Sequence, residues 1–264
     1  AALAKLRAES VATGRVPPVH TYQQVCWVPD QKVFFYVGRA GNWTFDPVKM
    51  KWTCLIQPPP YQKGPKKLVP WTRWAVQTHH CYYNPAVQAP VAITTHKPQG
   101  DWLFDYKTKQ WRKLARDMGN MGGEIYSTWV PPLKAQLLSN RNGRMFLHAV
   151  TAKGATWKEL KDFPKALKGC EALAYDSANR VVIAVGSRSK RGPLAVWALE
   201  PKAMKWTEMK PAGAIPAGTG LWAPLWYDKD HNAMFFLNRT GQTGVETWVY
   251  RYKRAAKAPS GPGR

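Results

Sequence analysis

Acid is scarce in this sequence. Against 39 lysines and arginines stand 16 aspartates and glutamates, a formal net charge of +23 over 264 residues. That excess favours polyanions: nucleic acid, acidic polysaccharide or glycan, anionic lipid, or an acidic protein. Charge alone does not choose among them. Cysteine is also sparse. Cys26, Cys54, Cys81 and Cys170 are widely spaced and no CxxC occurs, which excludes a disulfide-rich small fold and argues against a zinc ribbon. No apolar run reaches the length of a membrane-spanning helix, so no transmembrane segment is expected. Walker loops, GxSxG and HExxH are missing, and no cofactor motif is found. Most acids fall in turns. Glu124, Glu171 and Glu246 are the only ones placed near the expected ligand face, and three scattered acids make no mechanism. The chain starts at Ala1 without a signal peptide, which reads as a processed chain or an excerpt of something longer. This inclines the localisation towards export, extracellular or periplasmic. Two glycosylation sequons begin at Asn42 and Asn238.

What the sequence does have is tryptophan, 14 of them, within a 45% apolar composition that suits a folded chain. They recur. "NWTFDPVKMKWTCL" (42–55) and "DWLFDYKTKQWRKL" (101–114) share a pattern: Trp, two residues, acid, five residues, Trp, two residues, Leu. Trp43, Asp46, Trp52 and Leu55 fit it, as do Trp102, Asp105, Trp111 and Leu114. Trp197, Glu200, Trp206 and Met209 form another copy. A more divergent copy has His148, Thr151, Trp157 and Leu160, and a fifth starts at Trp248 with Arg251 in the acid position. The second Trp falls at 52, 111, 157 and 206, a period within the range of four-stranded propeller blades.

Upstream of each copy lies an apolar strand, a polar turn and another apolar strand, as in "ALAYDSANRVVIAVGSR" (172–188). The third unit has Asn142-Gly143, a strong hairpin signal. Each unit therefore reads as four antiparallel strands, a to d. Stacked blades would bury the recurrent Trp of strands c and d, and the recurrent acid would cap the c–d turn through backbone N–H groups. The expected fold is an all-β propeller of five blades, with units at about 20–55, 77–114, 124–160, 169–209 and 221–254 of a domain spanning 1–254. Unit five lacks strand d. Residues 1–9 are expected to supply it and close the ring, with a short helix or missing flanking blades as the other readings. The basic tail 255–264 is expected to be disordered.

The Tyr-Asp turns (Tyr175-Asp176, Tyr227-Asp228) and the acid-x5-Trp-x2-Leu pairs resemble kelch-type β-propellers, the family of the galactose oxidase central domain. The likeness covers about residues 20–254. The family's double glycine after strand b is replaced by Gly38-Arg39, Thr94-Thr95, Gly186-Ser187 and Asn238-Arg239, which marks a divergent branch. "TAKGATW" (151–157) resembles a sialidase Asp-box, but Lys153 stands where the Asp should be.

In a propeller the b–c and d–a loops share one face, where ligands usually bind. The longest of these loops, 56–77, carries Tyr61, Lys63, Lys66, Lys67, Trp71, Arg73 and Trp74. Basic residues interleaved with aromatics suit a stacking platform with phosphate or carboxylate contacts. The alternative is that Trp71 and Trp74 pack the loop onto blade two. The b–c loops add Arg39, His96, Lys97, Arg141, Arg188, Lys190, Arg191 and Arg239. Lys49, Lys51, Lys107, Lys109, Lys153 and Lys202 fall in or beside the c–d turns of the opposite face, so the positive charge is diffuse. "HHCYY" (79–83) offers His79, His80 and Cys81 as candidate copper or zinc ligands. Strand alternation sends His80 to the face opposite His79 and Cys81, and both histidines could instead be satisfied by loop carbonyls. The function expected is a non-catalytic scaffold with a basic surface, for an acidic polymer or protein or for neighbouring subunits of an assembly. The alternative is an enzyme at the channel mouth, a copper-dependent oxidase or a hydrolase.

Overall fold

The computed structural model describes residues 24–38, 41–56, 80–94, 100–115, 125–140, 143–165, 167, 170–187, 194–213, 216, 224–240 and 244–252. The segments expected to close the ring (1–9) and to trail as a tail (255–264) lie outside these residues. The described residues are strands and turns, with short 3-10 turns at Pro131–Leu133 and at Lys165 and Leu167. No helix among them is long and apolar enough to cross a membrane.

Among the described residues nineteen strands form five antiparallel sheets. Sheet one is β1 (Val25–Val28), β2 (Val33–Gly38), β3 (Gly41–Asp46) and β4 (Lys51–Ile56). Sheet two is β5 (His80–Asn84), β6 (Ala89–Thr94), β7 (Gly100–Asp105) and β8 (Gln110–Ala115). Sheet three is β9 (Ile125–Val130), β10 (Ala135–Asn140), β11 (Met145–Val150) and β12 (Ala155–Leu160). Sheet four is β13 (Cys170–Asp176), β14 (Val181–Ser187), β15 (Leu194–Glu200) and β16 (Lys205–Met209). Sheet five is β17 (Leu225–Asp228), β18 (Ala233–Thr240) and β19 (Gly244–Tyr250), three strands among the described residues. In every sheet the strands pair in chain order. These are the up-and-down blades of a five-bladed β-propeller, the fold class that the repeat predicts.

Two compact units are distinguished, one within 1–125 plus 148–157, the other within 126–147 plus 158–264. In the first, Cys26, Val28, Phe35 and Val37 of sheet one share a core with Cys81, Ala92, Trp102, Phe104 and Trp111 of sheet two. The rings of Phe35 and Phe104 meet at 4.8 Å, and Phe104 and Trp111 at 5.2 Å. Burying each such side chain contributes about 1.5–3 kcal/mol. All six residues of β6 are buried, as befits a strand covered on both faces. In the second unit Val130, Leu137 and Met145 pack with Leu173, Val182 and Leu199, and Ile183 and Val196 pack with Met234. The recurrent tryptophans are not buried equally. Trp43, Trp102 and Trp111 are, whereas Trp52, Trp157, Trp197 and Trp206 are half-covered.

The turns follow the chemistry of the repeat. Asp46 Oδ1 accepts the N–H groups of Val48 and Lys49 at 3.0 Å, and Asp105 Oδ1 those of Lys107 and Thr108. These bonds hold both carboxyls below the usual carboxylate range. In the divergent copy the Thr151 hydroxyl does the same for Lys153 and Gly154. Both sequon asparagines are buried in strands, Asn42 at 0% exposure and Asn238 at 2%, so neither offers an acceptor site in the folded chain.

Candidate functional site

The expected platform is largely outside the described residues: Tyr61, Lys63, Lys66, Lys67, Trp71, Arg73, Trp74, Arg39, His96, Lys97, Arg141, Arg188, Lys190, Arg191 and His79 all fall there. Arg239 is described, and it corrects the expectation of a loop residue. It lies within β18, paired with Val245, because the β18–β19 ladder continues as far as Thr240 and Gly244. Lys49, Lys51, Lys107, Lys109, Lys153 and Lys202 are all exposed. Glu246 is an exposed mid-strand residue of β19 that accepts the Trp248 indole N–H at 3.0 Å.

His80 and Cys81 point to opposite faces of sheet two, as alternation requires. Cys81 joins the core with sheet one, its Sγ 3.6 Å from that of Cys26. His80 sits on the other face beside Tyr82, ring centroids 5.8 Å apart. Burial, then the neighbouring His148, lowers the His80 pKa to about 3, so its imidazole is neutral over the physiological range. Among the described residues no group of three or more His, Cys, Asp and Glu is arranged to hold a metal ion.

That same face holds a polar chain within the first unit. The Tyr82 hydroxyl lies 2.7 Å from His148 Nδ1. His148 Nε2 is 3.2 Å from Asp101 Oδ2, close to it but not aligned as a hydrogen bond. The same carboxylate oxygen accepts the Trp157 indole N–H at 2.6 Å, and the His148 ring stacks on Trp157 at 4.0 Å. Tyr82, Asp101 and His148 are 5%, 2% and 0% exposed. Burial, and after it the Asp101 charge, pushes the Tyr82 phenol well above its ordinary range. The imidazole can hold a proton between phenol and carboxylate. With its members buried, however, the chain acts as a strut joining strands β5, β7, β11 and β12. Nothing in the sequence singles out Asp101 from a set of acids that fall mostly in turns. His148 carried a visible mark, an imidazole in the slot that Trp43, Trp102, Trp197 and Trp248 fill in the other copies.

The second unit contains a cavity of about 910 Å³. Its apolar walls are Ile183 and Val185 of β14, Leu194 and Val196 of β15, Met209 of β16, Met234 and Phe236 of β18, and Trp248 and Tyr250 of β19. Lys210, His231 and Arg251 also line it, with no acid among its described lining residues. His231 is engaged by Asp228 at 2.7 Å, and Lys210 and Arg251 are both exposed. The volume is that of a small-ligand or side-chain pocket. Sequence reading could not find it, because it is bounded by residues from six strands, β14 to β19, and belongs to no one motif.

Sheet one shows a further aromatic feature. Trp27, Phe34, Phe45 and Trp52 stand opposite one another on successive strands, one per strand. Their ring centroids are 5.0, 6.5 and 4.9 Å apart, and Trp27 and Phe34 are exposed.

No protein-family model matches this chain, and no curated protein is a detectable relative. Solved structures do match its fold. Hydrazine synthase of Kuenenia stuttgartiensis aligns with a TM-score of 0.58 at 10% identity, over 91% of this chain and 67% of that one. An auxiliary nutrient binding protein of Bacteroides thetaiotaomicron aligns with a TM-score of 0.54 at 11% identity, over 80% of this chain and 55% of that one. One from Bacteroides ovatus, also titled an auxiliary nutrient binding protein, aligns at 0.53 and 9%, over 86% and 57%. This chain thus spans little more than half the length of the two nutrient-binding chains. At such identities the likeness is one of fold, and the fold it identifies is the β-propeller.

Proposed function

We propose that this chain is a non-catalytic, kelch-like binding module that holds an acidic protein partner. The observation that carries the reading is the cavity of the second unit. Its walls are apolar, Lys210 and Arg251 are exposed cations among its described lining residues, and it belongs to a chain of net charge +23. Such a site favours an apolar side chain flanked by carboxylates: the side chain leaves water while the acids meet the two cations. Diffuse positive charge raises the rate of encounter without choosing the site. The loop residues expected to form a basic aromatic platform, Tyr61 to Trp74, are proposed to offer an acidic partner further basic and aromatic contacts. The kelch-type reading rests on the acid-x5-Trp pairs and the turn aspartates. Two structural neighbours, both auxiliary nutrient binding proteins, fit a fold that serves binding.

The test is a fluorescence titration with three probes: an acidic peptide carrying leucine and phenylalanine, the same peptide with serine in their place, and polyglutamate. The reading expects the apolar acidic peptide to bind tightest and to perturb Trp248. Replacement of both cations (Lys210→Glu, Arg251→Glu) is expected to weaken that binding at least tenfold. Equal binding of all three probes, unaffected by the double replacement, would overturn it.

A further inference from the structure

Two of the four cysteines lie side by side in the core of the first unit. Cys26 on β1 and Cys81 on β5 are 8% and 3% exposed, and their sulfurs are in contact at 3.6 Å. They are the only thiols in the cluster joining sheets one and two, and their neighbours Phe35, Val37, Ala92 and Phe104 are apolar. The two strands are also held together from the turn side, where the Tyr83 hydroxyl donates to the Asp30 carboxylate. The other cysteines are placed apart from this pair. Cys54 is on the opposite face of sheet one, across from Trp43, and Cys170 is in the second unit, its thiol 3.5 Å from the Ala172 carbonyl oxygen. A covalent S–S bond is about 2.0 Å long, so side-chain rotation on two adjacent strands has about 1.5 Å to close.

We propose that Cys26 and Cys81 form a disulfide that ties the first sheet to the second when the chain folds in the presence of a disulfide oxidant such as oxidised glutathione. One cysteine thiolate attacks the glutathione disulfide, forming a protein–glutathione mixed disulfide and releasing one glutathione thiolate. The second cysteine thiolate attacks the protein sulfur of that mixed disulfide, the protein S–S bond forms, and the second glutathione thiolate leaves. The two cysteine protons end on the two glutathiones. The protein is oxidised by two electrons and the glutathione disulfide reduced by two. In the folded chain both thiols are covered, and burial pushes the Cys81 thiol well above its ordinary range, which starves the first step of thiolate. The bond therefore forms before the two sheets close over it. Once formed, it is shielded from reductants by the same packing.

The experiment is to unfold the reduced chain, refold it with and without a glutathione redox couple, block free thiols with an alkylating agent and map the peptides by mass spectrometry. The expected product with the couple is a Cys26–Cys81 linked peptide pair, with Cys54 and Cys170 alkylated. Its thermal midpoint is expected to exceed that of the reduced chain by roughly 5–10 °C, since the closed loop is long. The variant Cys26→Ser is expected to lose this difference. If refolding fails, the chain is instead exported to an oxidising compartment on expression, purified and denatured for a thiol count, which is expected to give two thiols per chain. Four alkylated cysteines after oxidative folding by either route, or a bridge from Cys26 or Cys81 to Cys54 or Cys170, would overturn the proposal.

Discussion

Asp101 is a buried carboxylate whose two visible partners, His148 and Trp157, arrive from sheet three. Removing the buried imidazole opens a void beside Trp157 and takes away the partner of the Tyr82 hydroxyl, a loss of about 3–5 kcal/mol. His148→Ala is therefore expected to lower unfolding free energy by that amount in denaturant titration, well beyond the about 1 kcal/mol centre of ordinary substitutions. Asp101→Asn keeps the shape and removes the charge, and is expected to cost less than His148→Ala. Equal and small effects from both would show that the contact is incidental. His80 gives a pH prediction. Its folded pKa is near 3 and the ordinary value is 6.5, so between these limits the unfolded chain binds the extra proton. Stability from this group is complete above about pH 6.5 and is lost as pH falls toward 3, with a slope of up to about 1.4 kcal/mol per pH unit. The turn carboxyls Asp46, Asp105 and Asp228 are also lowered, and add to the loss at the acid end of that window. His80→Gln is expected to flatten the stability profile between pH 4 and 6, measured by urea unfolding at a series of pH values.

At the scale of elements, the four-residue turns repeat a backbone rule as well as a side-chain one. Lys32, Gln88, Lys134, Arg180 and Asn232 end the turns between first and second strands, and Met50, Lys109 and Met204 end those between third and fourth. All eight have φ between 46° and 58°, where a side chain is disfavoured. Met50 is 74% exposed with φ of 51°, so its side chain contributes little there. Met50→Gly is expected to stabilise the chain by about 0.5–1 kcal/mol, read as a higher denaturation midpoint, whereas a fall would mean that the turn is not left-handed at this residue.

This level is also where sequence and structure meet most closely. Stacked sheets demand an aromatic at fixed places on strands c and d, and a tight turn demands an acceptor at its first residue. Trp43, Trp102, Asp46 and Asp105 were therefore readable by spacing alone. Asp101 was not, because its partner Trp157 is 56 residues away and nothing in its own strand hints at one. Arg239 was misplaced because the missing double glycine obscured where β18 ends. The cavity was invisible for a related reason: it is a property of the space between two sheets.

For the whole molecule, the excess of positive charge is the most general fact and the least specific one. Exposed lysines at the described turns, among them Lys49, Lys107, Lys153 and Lys202, mean that some attraction to any polyanion is expected, and such attraction is screened over about 10 Å at 0.1 M salt. A docked partner differs from this background in keeping an apolar contribution that salt does not screen. The most direct test of a binding module for an acidic partner is the dissociation constant of the leucine- and phenylalanine-bearing acidic peptide, measured by calorimetry across a salt series. The account predicts saturable one-to-one binding that weakens roughly tenfold as salt rises from about 50 to 500 mM. It also predicts a residual affinity at high salt, absent for polyglutamate, and a negative heat-capacity change from burial in the cavity. A dissociation constant that does not respond to salt, or binding that vanishes at high salt for both probes alike, would contradict it.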